Sequence, residues 1–181
     1  MYRIIVSVAI VSLAAPFRAP AQQHPDFSGV WTAVDPTPAG PSVASRGDLS
    51  FRVGDMGSGW GSPITVAQQA ARLYIEFVFF ARYDLQPPLR FVYALDGSTS
   101  RNTVMIGHAA AEQVSRAVWQ GNTLVITTHH PVPDMGEGGT QTAEVRQVLS
   151  LDSSGSLVVE TTRVGLAAAP TRVSRTVYTK G

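Results

Sequence analysis

VSRAVWQGNTLVITTHH, residues 114–130, is two alternating runs joined by Gly121-Asn122. A Gly-Asn pair between such runs predicts a two-residue hairpin, because a primed turn needs positive φ at low cost. With those two residues as the loop, Gln120 faces Thr123, Trp119 faces Leu124 and Val118 faces Val125. Opposed residues of an antiparallel pair share a face, so Ala117, Trp119, Leu124 and Ile126 fall together. That set carries the bulk and is the expected core face. A one-residue slip would turn Trp119 to water, so the register is strongly specified.

Working outward, the same alternation recurs. Val30 and Thr32 flank Trp31; Ile64, Val66 and Gln68 precede Leu73, Ile75, Phe77 and Phe79 across a turn near residues 69–72. A helix over residues 66–81 competes with the second pair. Aromatic and β-branched enrichment of residues 73–80 favours strand. Phe91, Tyr93 and Leu95 form a strand, Asp96-Gly97-Ser98 a turn, and residues 101–106 a further strand. Val145 to Leu151 pairs with Leu157 to Thr161 if Leu151 opposes Leu157, and Val173 to Thr179 closes the chain. Residues 131–139, PVPDMGEGG, read as a loop, residues 165–170 as a linker, and residues 35–62 as a long insertion with an edge strand at Leu49, Phe51 and Val53. The fold class is all-β: an antiparallel up-and-down barrel of about eight to ten strands, with a β-sandwich as the alternative. First and last segments are strands, so they can pair and remove exposed edges.

Residues 1–21 read as a signal peptide. Arg3 precedes an apolar run, Ile4 to Ala15, and Ala19-Pro20-Ala21 resembles a cleavage site. The run is shorter than the roughly 20 residues a spanning helix needs, so no membrane span is expected after cleavage. Residues 22–181 are then one β domain, secreted or periplasmic, with residues 22–25 a flexible leader. Losing Arg3 and Arg18 turns the net charge from +1 to −1. A near-neutral chain without clustered Lys or Arg argues against nucleic acid as partner. With no cysteine, neither disulfides nor thiolate chemistry holds or drives it.

Phe27-Ser28-Gly29-Val30-Trp31 resembles the first-strand Gly-x-Trp signature of the lipocalin and avidin (calycin) barrels. The resemblance implies that Gly29 and Trp31 form one barrel end, with an arginine of the last strand, Arg172 or Arg175, packed on the Trp. Asp26 to Trp31, Leu95 to Ser98, Trp119 to Thr128, Leu157 to Thr162 and Thr176 to Tyr178 are similar to small exported lipocalin-like bacterial proteins of unassigned function. The Thr-Asp-Tyr segment and terminal helix of lipocalins are absent from the sequence. The resemblance implies a fold rather than a chemistry.

Chemistry is sparse. His129-His130, with His108 and His24, offers imidazoles for a metal, and Asp134, Glu137 or Glu144 offers a carboxylate partner. Adjacent strand residues face opposite ways, so His129 and His130 do not readily share an ion. Gly57-Ser58-Gly59 lacks the Lys of a phosphate loop, Arg46-Gly47-Asp48 is a chance tripeptide, and no Ser sits in a Gly-x-Ser-x-Gly elbow. No catalytic residue and no cofactor is assigned. The polar turn Asp96, Ser98, Arg101, Asn102, the loop aromatic Trp60, Tyr93 and the rim residue His129 are the candidate ligand-binding residues. The leading expectation is a non-enzymatic barrel binding a small apolar or amphipathic molecule. A solid-cored interaction module of the envelope is second, and a metal-assisted hydrolase third. Oligomeric state is left open.

Overall fold

In the computed structural model, residues 24–34, 62–77, 88–106, 109–133, 140–164 and 171–181 are described. They form ten strands: β1 Gly29–Ala33, β2 Ile64–Gln69, β3 Arg72–Phe77, β4 Leu89–Ala94, β5 Thr99–Ile106, β6 Ala109–Gln120, β7 Thr123–Pro133, β8 Thr140–Leu151, β9 Leu157–Val164 and β10 Arg172–Lys180. Every pairing is antiparallel, in the order β4-β3-β2-β1-β10-β9-β8-β7-β6-β5, and the sheet curls into a nearly closed up-and-down barrel. First and last strands pair, as expected: Trp31 opposes Lys180. Among the described residues no helix is long and apolar enough to cross a membrane.

The central hairpin has the predicted register, with Trp119 opposite Leu124 and Gln120 opposite Thr123. Gly121 takes a positive φ of 61°, the conformation for which glycine is suited. Leu151 opposes Leu157, and Asp152 Oδ1 ties the turn between them by accepting from the Ser154 and Ser156 amides at 2.9 and 3.0 Å. Residues 66–77 are two strands about Ala70-Ala71 rather than a helix. Strand geometry lets Ile64, Val66, Leu73 and Ile75 all point into one core with Trp31, Leu124, Leu149, Leu157 and Tyr178.

Three expectations are corrected. β7 continues through Pro131 to Pro133, which had read as loop. Above His129 β7 is paired on its β8 side alone, so the prolines occupy an edge. β6 reaches back to Ala109, because Ala109 to Glu112 find partners in Ile106 to Thr103 of β5. Residues 24 and 25 are pinned: the His24 ring stacks on Trp119 at 4.1 Å and 6°, and Gln68 Nε2 donates to the Pro25 carbonyl at 2.9 Å.

These contacts build a floor. Phe27 is fully buried against Trp119, with ring centroids 5.7 Å apart, and its carbonyl accepts from Trp31 Nε1 at 2.8 Å. The Phe27 amide donates to Gln68 Oε1 at 3.1 Å, and the Gln68 amide donates to Ser28 Oγ at 3.0 Å. The tight turns at residues 70–71, 95–98, 121–122 and 152–156 lie at this same end. Strand ends at the opposite rim lead into residues outside the described set.

β4 and β5 are the two ends of the sheet order, and no ladder joins them. Side chains replace it. Asn102 Oδ1 accepts from the Val92 amide at 2.8 Å, Asn102 Nδ2 donates to the Val92 carbonyl at 3.2 Å, and Ser100 Oγ accepts from the Ala94 amide at 2.7 Å. The seam thereby satisfies strand-edge groups that would otherwise be open to other chains.

Candidate functional site

The inner face of β6–β9 is apolar near the floor and mixed polar and apolar toward the rim. Near the floor it is apolar: Ala117, Leu124, Ile126, Leu149, Leu157 and Val159 are buried. Further up the inward positions are mixed: Ser115, Gln113, Thr128, His130, Gln147 and Thr161 are buried there, with Val145 and Ala143 of β8 opposite Thr128 and His130. The strand period makes this inevitable once the core face is known. From Trp119 the inward series runs through Ala117 and Ser115 to Gln113, and from Leu124 through Ile126 and Thr128 to His130.

Some of these polar groups are satisfied within the wall. Ser115 Oγ and Thr128 Oγ1, opposed across β6 and β7, lie 2.9 Å apart. Two are not. Gln113 Nε2 and His130 Nε2 are buried without a hydrogen-bond partner, in residues 2% and 5% exposed. The β6–β7 ladder ends at Val114 opposite His129, so Gln113 and His130 are the first inward residues of the two strands beyond its last pair. A buried polar atom without a partner costs about 1–3 kcal/mol, so two of them on the same wall call for a reason.

Burial drives the His130 imidazole down from 6.5 to about 4, and the positive Arg163 and His129 nearby push the same way. The ring is therefore neutral at pH 7. No Asp or Glu is buried among the described residues, so the buried polar groups of this inner wall are amides, hydroxyls and a neutral imidazole, with Arg163 opposite inward Val145 nearby. Such a set can hydrogen-bond a neutral or anionic group and offers no counter-charge to a cation.

The residues singled out from the sequence are dispersed. Asp96 and Ser98 are exposed at the floor end, where Asp96 Oδ1 accepts from the Ser98 amide at 2.8 Å and its carboxyl is lowered by that bonding. Tyr93 is in the core beside Phe91, and Asn102 is in the seam. Arg101 is exposed and paired with Glu112. His129 is exposed on the outer face, while its neighbour His130 is buried inside, the alternation expected of a strand. Trp60, the insertion with its edge strand, Phe79, His108, Asp134, Glu137, residues 1–21 and residues 165–170 lie outside the described residues. Among those described, no group of three His, Cys, Asp or Glu side chains converges as a metal site would require.

At the floor, Gly29 (φ 152°) and Trp31 lead the first strand, but the cation on the Trp is Lys180, with Nζ 5.4 Å from the ring. Arg175 does not take that place. It faces outward across from Glu160, because it lies an odd number of residues from Tyr178 and Lys180, which share the Trp31 face. Sequence reasoning missed Gln113 and weighed His130 only as a metal ligand, although the parity of the central hairpin already turned both inward. No protein-family model matches the chain, and no curated protein matches it. The barrel, with its all-antiparallel strands and near closure, is compatible with a lipocalin-like fold.

Proposed function

We propose that this protein is an exported, non-enzymatic carrier of calycin type that binds a small amphipathic molecule inside its barrel. One observation carries the reading: the buried and unpartnered Nε2 atoms of Gln113 and His130, both just beyond the end of the β6–β7 ladder and above an apolar core. A ligand whose polar group meets those atoms and whose apolar body points to the floor would supply the missing hydrogen bonds. The amphipathic inner wall and the plugged floor both support entry from the opposite rim. The Gly-x-Trp opening, with Trp31 buried in the first strand, supports the family likeness.

A titration with the neutral fluorophore N-phenyl-1-naphthylamine tests this. Saturable enhancement is expected, displaced by long-chain alcohols and acids. Gln113→Leu and His130→Phe fill the same space without the polar atoms. They should leave the fold intact and weaken polar-headed competitors by roughly tenfold each, the worth of about one hydrogen bond. Absence of saturable binding, with Trp emission unmoved, would remove the carrier reading.

A further inference from the structure

A concavity lies on the outer side of the same wall. It measures about 500 Å³ and is lined on the outer face by Arg116, Val118, Val125, Thr127, His129 and Arg146. Val118 opposes Val125 across β6 and β7, and Val125 is only 6% exposed although it points outward. The outer sheet surface is therefore locally recessed, with an apolar base.

Beside that base runs the cross-strand row Arg116, Thr127, Arg146. Strand spacing puts the two arginine backbones about 10 Å apart, close enough for both long side chains to reach one small group. Elsewhere on the outer face arginines are paired: Arg90 with Glu76, Arg101 with Glu112, and Arg175 with Glu160. Among the described residues neither Arg116 nor Arg146 has a carboxylate at ion-pair distance. Arg72 has none either, but it stands by the Ala70-Ala71 turn and does not line the recess. The nearest carboxylate in register, Glu144, is one row toward the rim, opposite His129. Arg116 is oriented by donating Nε–H to the Gly97 carbonyl, which leaves its outer nitrogens for another acceptor.

We infer that this recess is a binding site for a small organic anion, a phosphate ester or carboxylate attached to an apolar ring or short alkyl group. The anionic end sits between the two guanidiniums, whose planar donors match carboxylate and phosphate oxygens. The apolar end lies on Val118 and Val125. The volume falls within the range of about 300–1,000 Å³ typical of small-molecule sites, so the occupant is a soluble molecule and not a membrane surface or a protein. This site is on the outside of the wall and does not depend on whether the interior binds anything.

Phenyl phosphate is the probe, titrated into the ¹⁵N-labelled full chain and followed by amide shifts. Saturable shifts are expected at Val118, Val125 and Thr127, with benzyl alcohol and benzylamine giving none there. Inorganic phosphate should bind more weakly for want of the apolar contact. The exposed double substitution R116Q/R146Q should keep the spectrum of the folded barrel and weaken phenyl phosphate by roughly tenfold or more. The inference is overturned by unchanged affinity in that variant, by equal binding of benzylamine, by shifts confined to inward positions such as Gln113, or by no binding. Binding to phosphatidylglycerol vesicles without binding of phenyl phosphate also overturns it.

Discussion

His130 shows how a single residue couples packing to solution behaviour. Its ring titrates near 4 in the fold because burial penalises the imidazolium, whereas the unfolded ring takes its proton near 6.5. Between those values the unfolded chain binds more protons, so stability falls as pH drops from 6.5 to about 4 and is level for this group above and below. At 1.36 kcal/mol per unit the ceiling is roughly 3 kcal/mol. Urea unfolding of the wild type across that window should show the slope, and His130→Gln should flatten it. Equal slopes in both proteins would mean that His130 is solvated. Asp26, Asp96 and Asp152 do not confuse the result. Hydrogen bonds from nearby serines hold their carboxyls below 3.8, so they titrate beneath the window. That His130 turns inward was legible in the residue parity of the hairpin. That it lacks a partner was not, since its neighbours come from strands remote in sequence.

At the scale of the element, the β4–β5 seam is the feature with most consequence. Consecutive strands joined by the short turn Leu95 to Ser98 would ordinarily pair, yet here they meet through Asn102 and Ser100. Asn102→Leu keeps the volume and leaves the Val92 amide and carbonyl unbonded. The expected cost is about 1–3 kcal/mol, with faster hydrogen exchange at Val92 and Ala94 and little change at Leu124. Unaltered exchange at Val92 would show that the seam does not rest on Asn102. The hairpins were readable because their determinants are local: Gly121-Asn122 and Asp152 to Ser156 each carry turn residues between alternating runs. Ala109 to Gln113 was not, because alanine has little β preference, and pairing with β5 decides the matter.

At the scale of the whole molecule, the barrel has one sealed end. The segment His24 to Ser28 closes it, with Phe27 between Trp119 and the first strand. Phe27→Ala should lower stability by about 3–5 kcal/mol, the usual loss for a buried Phe, and shift Trp119 emission to the red as its cover goes. Chemical denaturation followed by Trp fluorescence measures both. A loss below about 1 kcal/mol would show that the floor contributes little to the fold. A sealed floor also concentrates the proposed ligand chemistry at the other end. It leaves the outer recess as a separate surface, reached without opening the barrel.

The sequence by itself determined most of the strands, the tight turns and the inward face of the central hairpin, because strand parity and turn conformation are properties of neighbouring residues; the Ala109 and Pro131 to Pro133 ends of that hairpin were not among them. It also carried the barrel class, since short alternating runs, with the one competing helix at residues 66–81 outweighed by β-branched and aromatic residues, have few ways to bury their apolar faces. Only the tertiary structure decided which inward polar residues meet, that Lys180 rather than Arg175 covers Trp31, and that Arg116 and Arg146 share one recess. Those outcomes depend on the register of strands far apart in the chain and on how the sheet closes, and no local pattern encodes either.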